Sequence, residues 1–267
     1  MVPISASVFF LRPLASLGRW GQWGGRQVQA VLRLGGAVLR NLPHAEPAAI
    51  WQQARDLGNR SMFFVVVVMA FVGAIMVVQA SMQAQRIVGD LSIIGPGFMQ
   101  LLVREFAPTI VALMIAARYG AGVAAALGAM QVTEQVDALR LCSAEPISYL
   151  VVPRVLGGLT SMPAIVVVGG AVAFVSGGLA GHFGFGIGWT SYFRTGFVVP
   201  SDVAIGFCKA AAFGVAVPLV SSWAGLSARG GARGVGQATT RAVIGSSVAV
   251  LFLDLVFGAA GYVAQRW

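Results

Sequence analysis

The sequence predicts an all-α, polytopic membrane protein: amino-terminal interfacial helices, then five transmembrane helices with a short cytoplasmic helix between spans two and three. Three observations carry this. Hydrophobic residues make up 57% of the 267 positions and charged ones only 10%, a balance foreign to soluble domains. Five stretches reach the length of about 20 apolar residues that a helix needs to cross hydrocarbon. The arginines crowd into segments that fall on one side of those stretches.

The amino-terminal segment carries Arg12, Arg19, Arg26, Arg33 and Arg40, one every seven residues. Seven residues are nearly two helical turns, so these side chains form a slowly drifting stripe. Leu14, Leu17, Trp20, Trp23, Val28, Val31, Leu32, Val38 and Leu39 add apolar surface, which suits helices lying at the membrane interface. Gly24-Gly25 and Gly35-Gly36 are expected to divide this region into pieces. No signal peptide is expected, because the first long apolar run starts only at Met62. The chain is therefore read as residues 1–60, interfacial amphipathic helices, and 61–267, a five-helix domain.

The candidate spans are Met62–Met82, Phe98–Met130, Val151–Ala180, Val203–Leu226 and Ala242–Ala264. The second and third exceed the hydrocarbon thickness, so they should tilt, kink or project beyond it. In the second, Pro108 cannot donate to the carbonyl of Arg104, and a kink is expected there. Two ladders of small residues follow, Ala116, Gly120, Ala124, Gly128 and Ala117, Ala121, Ala125, Ala129. Small side chains at i, i+4 allow another helix to approach closely, so this face should lie against protein. Gly177 and Gly181 make a similar pair in the third span. Residues 181–200, rich in glycine and aromatics, read as a loop with an interfacial aromatic helix.

Residues 12–60 and the later Arg229, Arg233 and Arg241 are separated by four spans and so share one side. The positive-inside rule makes that side cytoplasmic, with the amino terminus inside and the carboxyl terminus outside. The same placement makes the net charge of +9 a membrane signal rather than a nucleic-acid footprint.

Between spans two and three, Gly128 to Pro146 is a polar interruption on the cytoplasmic side. Val132, Val136 and Leu139 fall at i, i+4, i+7 and share one helical face. Glu134, Gln135 and Asp137 project from the rest, and Pro146 ends the helix. So short a helix is marginal alone and calls for a partner.

Little catalytic machinery is present. Cys142 and Cys208 imply no disulfide and read as packing residues, and the isolated His44 and His182 make no metal cluster. Lys209 is the sole lysine and does not sit in a Gly-Lys-Ser/Thr context, which excludes a Walker A loop. Any ATP must bind another chain; no cofactor, metal or enzymatic activity is expected. Arg104, Glu105, Lys209 and Asp254 instead place charges inside spans, where each costs about 3 kcal/mol unless paired or wet. Glu105 and Lys209 sit at matched depth, about 10 Å from the outer end of their spans. They either form an ion pair or line one polar cavity. Asp254 reads as a structural hydrogen-bonding group or part of a water-accessible path, and Arg104 as a partner or snorkelling residue.

Several segments together resemble the MlaE/YrbE permease family. They are Arg104-Glu105-Phe-Ala-Pro108, the small-residue helix, Val132-Thr-Glu-Gln-Val-Asp-Ala-Leu139, Pro146-Ile-Ser-Tyr-Leu-Val-Val-Pro-Arg154 and Ala238-Thr-Thr-Arg-Ala-Val243, followed by Ser246-Ser247 and Asp254. The resemblance spans about residues 50–265. It implies the permease subunit of an ABC transporter that acts as a homodimer in the bacterial inner membrane. Each subunit would dock on an ATPase subunit, with an MCE-domain protein outside and, in some systems, a STAS-domain protein bound to the ATPase. The implied substrates are lipids, commonly phospholipids, moved between inner and outer membranes.

Under the same resemblance, the segment from Val132 to Leu139 becomes the coupling helix, with Val132, Glu134, Gln135, Asp137, Ala138 and Leu139 toward the ATPase. Glu105, Lys209 and Asp254 fall where the family places important membrane charges. Ala107 departs from the usual glycine, Gln131 from a basic residue, and Arg229 and Arg233 from acidic or neutral ones. The rival reading is an ion-coupled secondary carrier using Glu105 and Asp254 as proton sites. The acidic coupling-like segment and the lack of a detectable inverted repeat weigh against it.

Overall fold

The computed structural model describes residues 25–264 apart from Arg26, Ala45, Val88 and Thr195. The arginine stripe at Arg12, Arg19 and Arg26 lies outside the described residues. Among those described the chain is helical throughout, with α1 (27–41), α2 (Pro47–Ile87), α3 (Ile94–Val132), α4 (Gln135–Leu141), α5 (Ile147–Phe185), α6 (Trp189–Tyr192), α7 (Pro200–Leu226) and α8 (Gly231–Ala264). Helices α2, α3, α5, α7 and α8 are long and apolar enough to cross a membrane. At 1.5 Å per residue the 41 residues of α2 span about 60 Å, twice the hydrocarbon thickness, so its amino-terminal part must project beyond it.

Helix α2 buries one stripe, with Leu57, Ser61, Val65, Met69, Gly73, Val77 and Ser81 recurring every fourth residue. That stripe packs along α5, while the remaining faces of α2 present apolar side chains such as Phe63, Phe71 and Ile75 outward. Helix α7 lies between α5 and α8, and α3 packs across α7, α8 and α5. The α5–α7 crossing depends on two glycines facing each other. A Cβ on Gly158 would stand 2.2 Å from the Gly214 carbonyl oxygen, and one on Gly214 2.5 Å from that of Gly158. No side chain fits there, so only this pair permits the approach.

The two small-residue ladders of α3 separate in the fold. Ala116, Gly120, Ala124 and Gly128 are buried, and positions 120 to 128 of this ladder face α7 and the start of α8. Ala117, Ala121, Ala125 and Ala129 stay at least partly exposed.

Helix α1 closes the basic end. Leu34 and Val38 join Leu127, Val136, Leu150, Val151 and Val155 in one apolar cluster, and Asn41 donates a 3.0 Å hydrogen bond to Glu145. Contrary to the sequence expectation, Gly35-Gly36 does not break α1. The helix is docked rather than isolated, and its packing outweighs the cost of about 1 kcal/mol that each glycine imposes.

At the other end Trp189, Tyr192 and Phe193 stack with Phe174 and His182, and the Tyr192 hydroxyl donates to the Phe174 carbonyl at 3.0 Å. Burial pushes the Tyr192 phenol above its ordinary range, so it remains a donor. This is the interfacial aromatic helix that the loop composition predicts. Nearby, the Ser92 N–H and hydroxyl hold the Asp90 carboxyl below its usual range.

Candidate transport site and coupling surface

Pro108 shapes the site. It has no N–H to give, and one turn earlier α3 widens into a π-helical turn over Leu102–Phe106, with the Ala107 N–H bonded to the Leu102 carbonyl. The expected kink is thus accommodated as a widened turn, and Arg104 and Glu105 lie inside it. The Val103 carbonyl faces α7 at Gly206, where a Cβ would stand 2.3 Å from its oxygen. Gly206 therefore lets α7 bring its own charges to this turn.

All four membrane charges singled out in the sequence meet here. The Lys209 ammonium contacts the Glu105 carboxylate and lies 2.8 Å from the Asp254 Oδ1. Thr109 donates to the same Asp254 oxygen at 2.9 Å. Arg104 Nε lies 3.6 Å from Glu105, and its Nη1 lies 3.2 Å from Asp202 Oδ1. The Lys209 side chain has no exposed surface, whereas that of Glu105 is 33% and that of Asp254 22% exposed. The lysine is thus the enclosed hub, with its two carboxylates reaching toward the surroundings. On α8, Gly258 and Gly261 leave room beside Glu105 and Arg104.

Sequence reasoning missed Asp202, Gln100 and Thr109. Asp202 is fully buried and accepts hydrogen bonds from Arg104, Gln100 (3.1 Å) and the Val199 N–H (3.3 Å). In the sequence it sits two residues after Pro200 and reads as an ordinary helix-start carboxylate. The available signal was the i, i+4 spacing of Gln100 and Arg104 on α3. Beside the network, α3, α5 and α7 enclose an apolar crevice of about 370 Å³ lined by Met99, Val103, Pro163, Phe174 and Phe207 among others. Neighbours in sequence tie the two together, since Met99 and Val203 line the crevice next to Gln100 and Asp202.

The second predicted region lies at the other end of α3, about 40 Å from Arg104 along its 28-residue path to Val132. Here the structure moves the helix boundaries. Val132 ends α3, Thr133 turns, Glu134 adopts a left-handed φ of 60°, and α4 starts at Gln135. It stops at Leu141, ahead of Pro146, with Ser143 also left-handed at φ 57°. Thr133 Oγ1 bonds the Ala129 carbonyl at 2.8 Å, which closes α3 locally. Within α4 only Val136 is buried, at 1% exposure; Leu139 is half-buried, and Gln135, Asp137 and Ala138 face outward, as does Glu134 just before the helix. Asp137 pairs with Arg140 at 2.7 Å, and Leu141 is 89% exposed. Among the described residues no group of three potential metal-binding side chains occurs.

Five membrane-length helices, a charge network inside them and a helix displayed beyond them define a multi-pass membrane protein. Residues 50–260 match the family model of Permease MlaE, and the chain belongs to that family. It is 37% identical over 204 residues to a Rickettsia felis protein named "Probable ABC transporter permease protein", covering 76% of this chain and 78% of that one. It is 32% identical to the chloroplastic protein TRIGALACTOSYLDIACYLGLYCEROL 1 of Arabidopsis thaliana, over 77% of this chain and 59% of the other. The Haemophilus influenzae "Intermembrane phospholipid transport system permease protein MlaE" is 29% identical, over 78% and 80%.

Proposed function

We propose that the chain is the membrane permease of an ABC transporter that moves lipids, phospholipids above all, between the inner and outer membranes of a bacterium. Residues 1–60 act as the interfacial segment, continuing into the projecting start of α2, and residues 61–267 as the permease domain. The basic end faces the cytoplasm, so the amino terminus lies inside and the carboxyl terminus in the periplasm. Two copies form a homodimer, each engaging one ATPase subunit. An MCE-domain protein receives or delivers lipid outside, and a STAS-domain protein associates through the ATPase in systems that have one.

The observation that carries this reading is the way α4 is held. Buried Val136 and half-buried Leu139 hold it to the body, while Glu134, Gln135, Asp137 and Ala138 face outward. Such a helix transmits force when a partner grips it, and the chain lacks a phosphate loop of its own. Val132, Glu134, Gln135, Asp137, Ala138 and Leu139 form the docking surface. Movement of α4 passes along α3 to the widened turn, where Arg104, Glu105, Lys209 and Asp254 change pairing. The adjoining apolar crevice offers acyl chains a wall of matching chemistry.

Proteoliposomes containing this chain and its ATPase should transfer labelled phospholipid when ATP is added. Lys209→Ala should abolish that transfer. Transfer driven by a proton gradient without ATP would overturn the reading in favour of an ion-coupled carrier.

A further inference from the structure

The second widened turn of α3, Ala116–Gly120, carries Arg118, which the mechanism above does not use. Its depth follows from packing. A Cβ on Gly169 would touch Val111, Val65 and Met69 at 3.1 to 3.3 Å, so these residues of α3, α5 and α2 share one level. Arg118 lies seven residues further along α3, about 10 Å nearer the basic end. That is the level at which the apolar run of α2 gives way, below Met62, to Arg60 and Arg55. It is the depth of lipid head groups on that side.

Arg118 is exposed, and its guanidinium carbon lies 6.0 Å from the Phe64 ring centroid. Arg60 lies one turn from Phe64 on the same face of α2 and is also exposed. The buried side of this layer adds Arg154, which donates to the Leu150 carbonyl, and Tyr119, which faces Gln53. Asp56, half-buried on α2, is the acid of the layer. Among the described residues none of Arg118, Arg60, Arg55 and Arg154 has a carboxylate within ion-pair distance, so four cations face one acid. One turn beyond Arg118, a Cβ on Gly122 would meet nothing within 4 Å, so no side chain of the protein covers α3 at that point.

We propose that Arg118, with Arg60, binds the phosphate of an anionic glycerophospholipid in the leaflet at the basic end. The Phe64 ring attracts the Arg118 cation at 6.0 Å, and the guanidinium keeps N–H groups that can make two parallel hydrogen bonds to phosphate oxygens. The neighbouring Arg60 supplies the second charge. The site rests on the membrane placement of the spans and on the basic end facing the cytoplasm, not on transport. A binding readout without ATPase therefore separates its failure from failure of the transport reading.

The test uses the full chain in nanodiscs of equal parts phosphatidylglycerol and phosphatidylcholine. Native mass spectrometry then counts the lipid retained on release. The wild-type chain should retain phosphatidylglycerol preferentially. Arg118→Gln should lower that retention about tenfold, the effect of losing one charge-assisted contact. Arg118→Lys, which keeps the charge but loses the fork, should fall between. Arg60→Gln, a surface change that spares the fold, should reduce retention in the same direction and covers the case of an unstable Arg118→Gln chain. Unchanged phosphatidylglycerol retention in Arg60→Gln and in folded Arg118→Gln would overturn the site. So would equal loss of both lipids, or displacement of the lipid by inorganic phosphate.

Discussion

The two ends of α3 treat charge in opposite ways. Near Arg104 every charge is answered within the chain: Lys209 has Glu105 and Asp254, and Arg104 has Glu105 and Asp202. Near α4 the carboxylates of Glu134 and Asp137 point away from the body, with Arg140 the ion-pair partner of one of them. A charge in hydrocarbon must be neutralised by its own fold, because nothing else is there to do it. A charge beyond the hydrocarbon can stay in water. The first end is a set of linked contacts; the second leaves its carboxylates exposed, as the docking surface proposed for it requires.

Breaking the network should have the largest effect. Lys209→Ala removes the hub and leaves two carboxylates facing each other. A loss of about 3 kcal/mol or more is expected, read as a lowered unfolding temperature of the purified chain. Exchanging the charges, Glu105→Lys with Lys209→Glu, should recover part of the transport that either single change destroys. Two fully active single variants would show that the pair is a bystander. The approach of α7 can be broken without touching charge. Gly206→Ala presses a methyl group onto the Val103 carbonyl, and about 1–3 kcal/mol should be lost together with transport.

At the other end Val136 is the position on which α4 rests. Val136→Ala should cost about 1.5 kcal/mol by removing two buried methyl groups, and should loosen α4 more than the membrane body. Hydrogen exchange confined to residues 133–145 would show this, while faster exchange across the spans would contradict it. The smallest effect belongs to Arg140→Ala. Its exposed pair with Asp137 should contribute well under 1 kcal/mol, so stability should stay within error of the wild-type chain.

Much of this division can be read from residues alone. Hydrophobic length sets the five spans, and matched depth brings Glu105 to Lys209. The i, i+4, i+7 spacing finds the face on which Val136 is buried. What escapes the sequence is set by tertiary geometry. Asp202 looks like a helix start because its two partners on α3 are about a hundred residues away. The turn containing Arg104 widens instead of simply kinking, and periodicity carries no signal for one extra residue per turn. Gly35-Gly36 reads as a break because local propensity cannot register the docking of Leu34 and Val38. Helix α4 begins three residues later than its apolar spacing suggests, since Glu134 adopts a left-handed turn.

If an ATPase chain grips α4, as proposed, Cys142 should report the contact directly. This exposed cysteine lies immediately after α4, and the only other cysteine is Cys208 in α7. In a Cys208→Ser background, a short thiol-to-amine crosslinker should join Cys142 to the ATPase in membranes. Adding Val136→Asp, which expels the pin of α4, should abolish the adduct. An absence of any ATPase adduct, or one that survives Val136→Asp unchanged, would contradict the account.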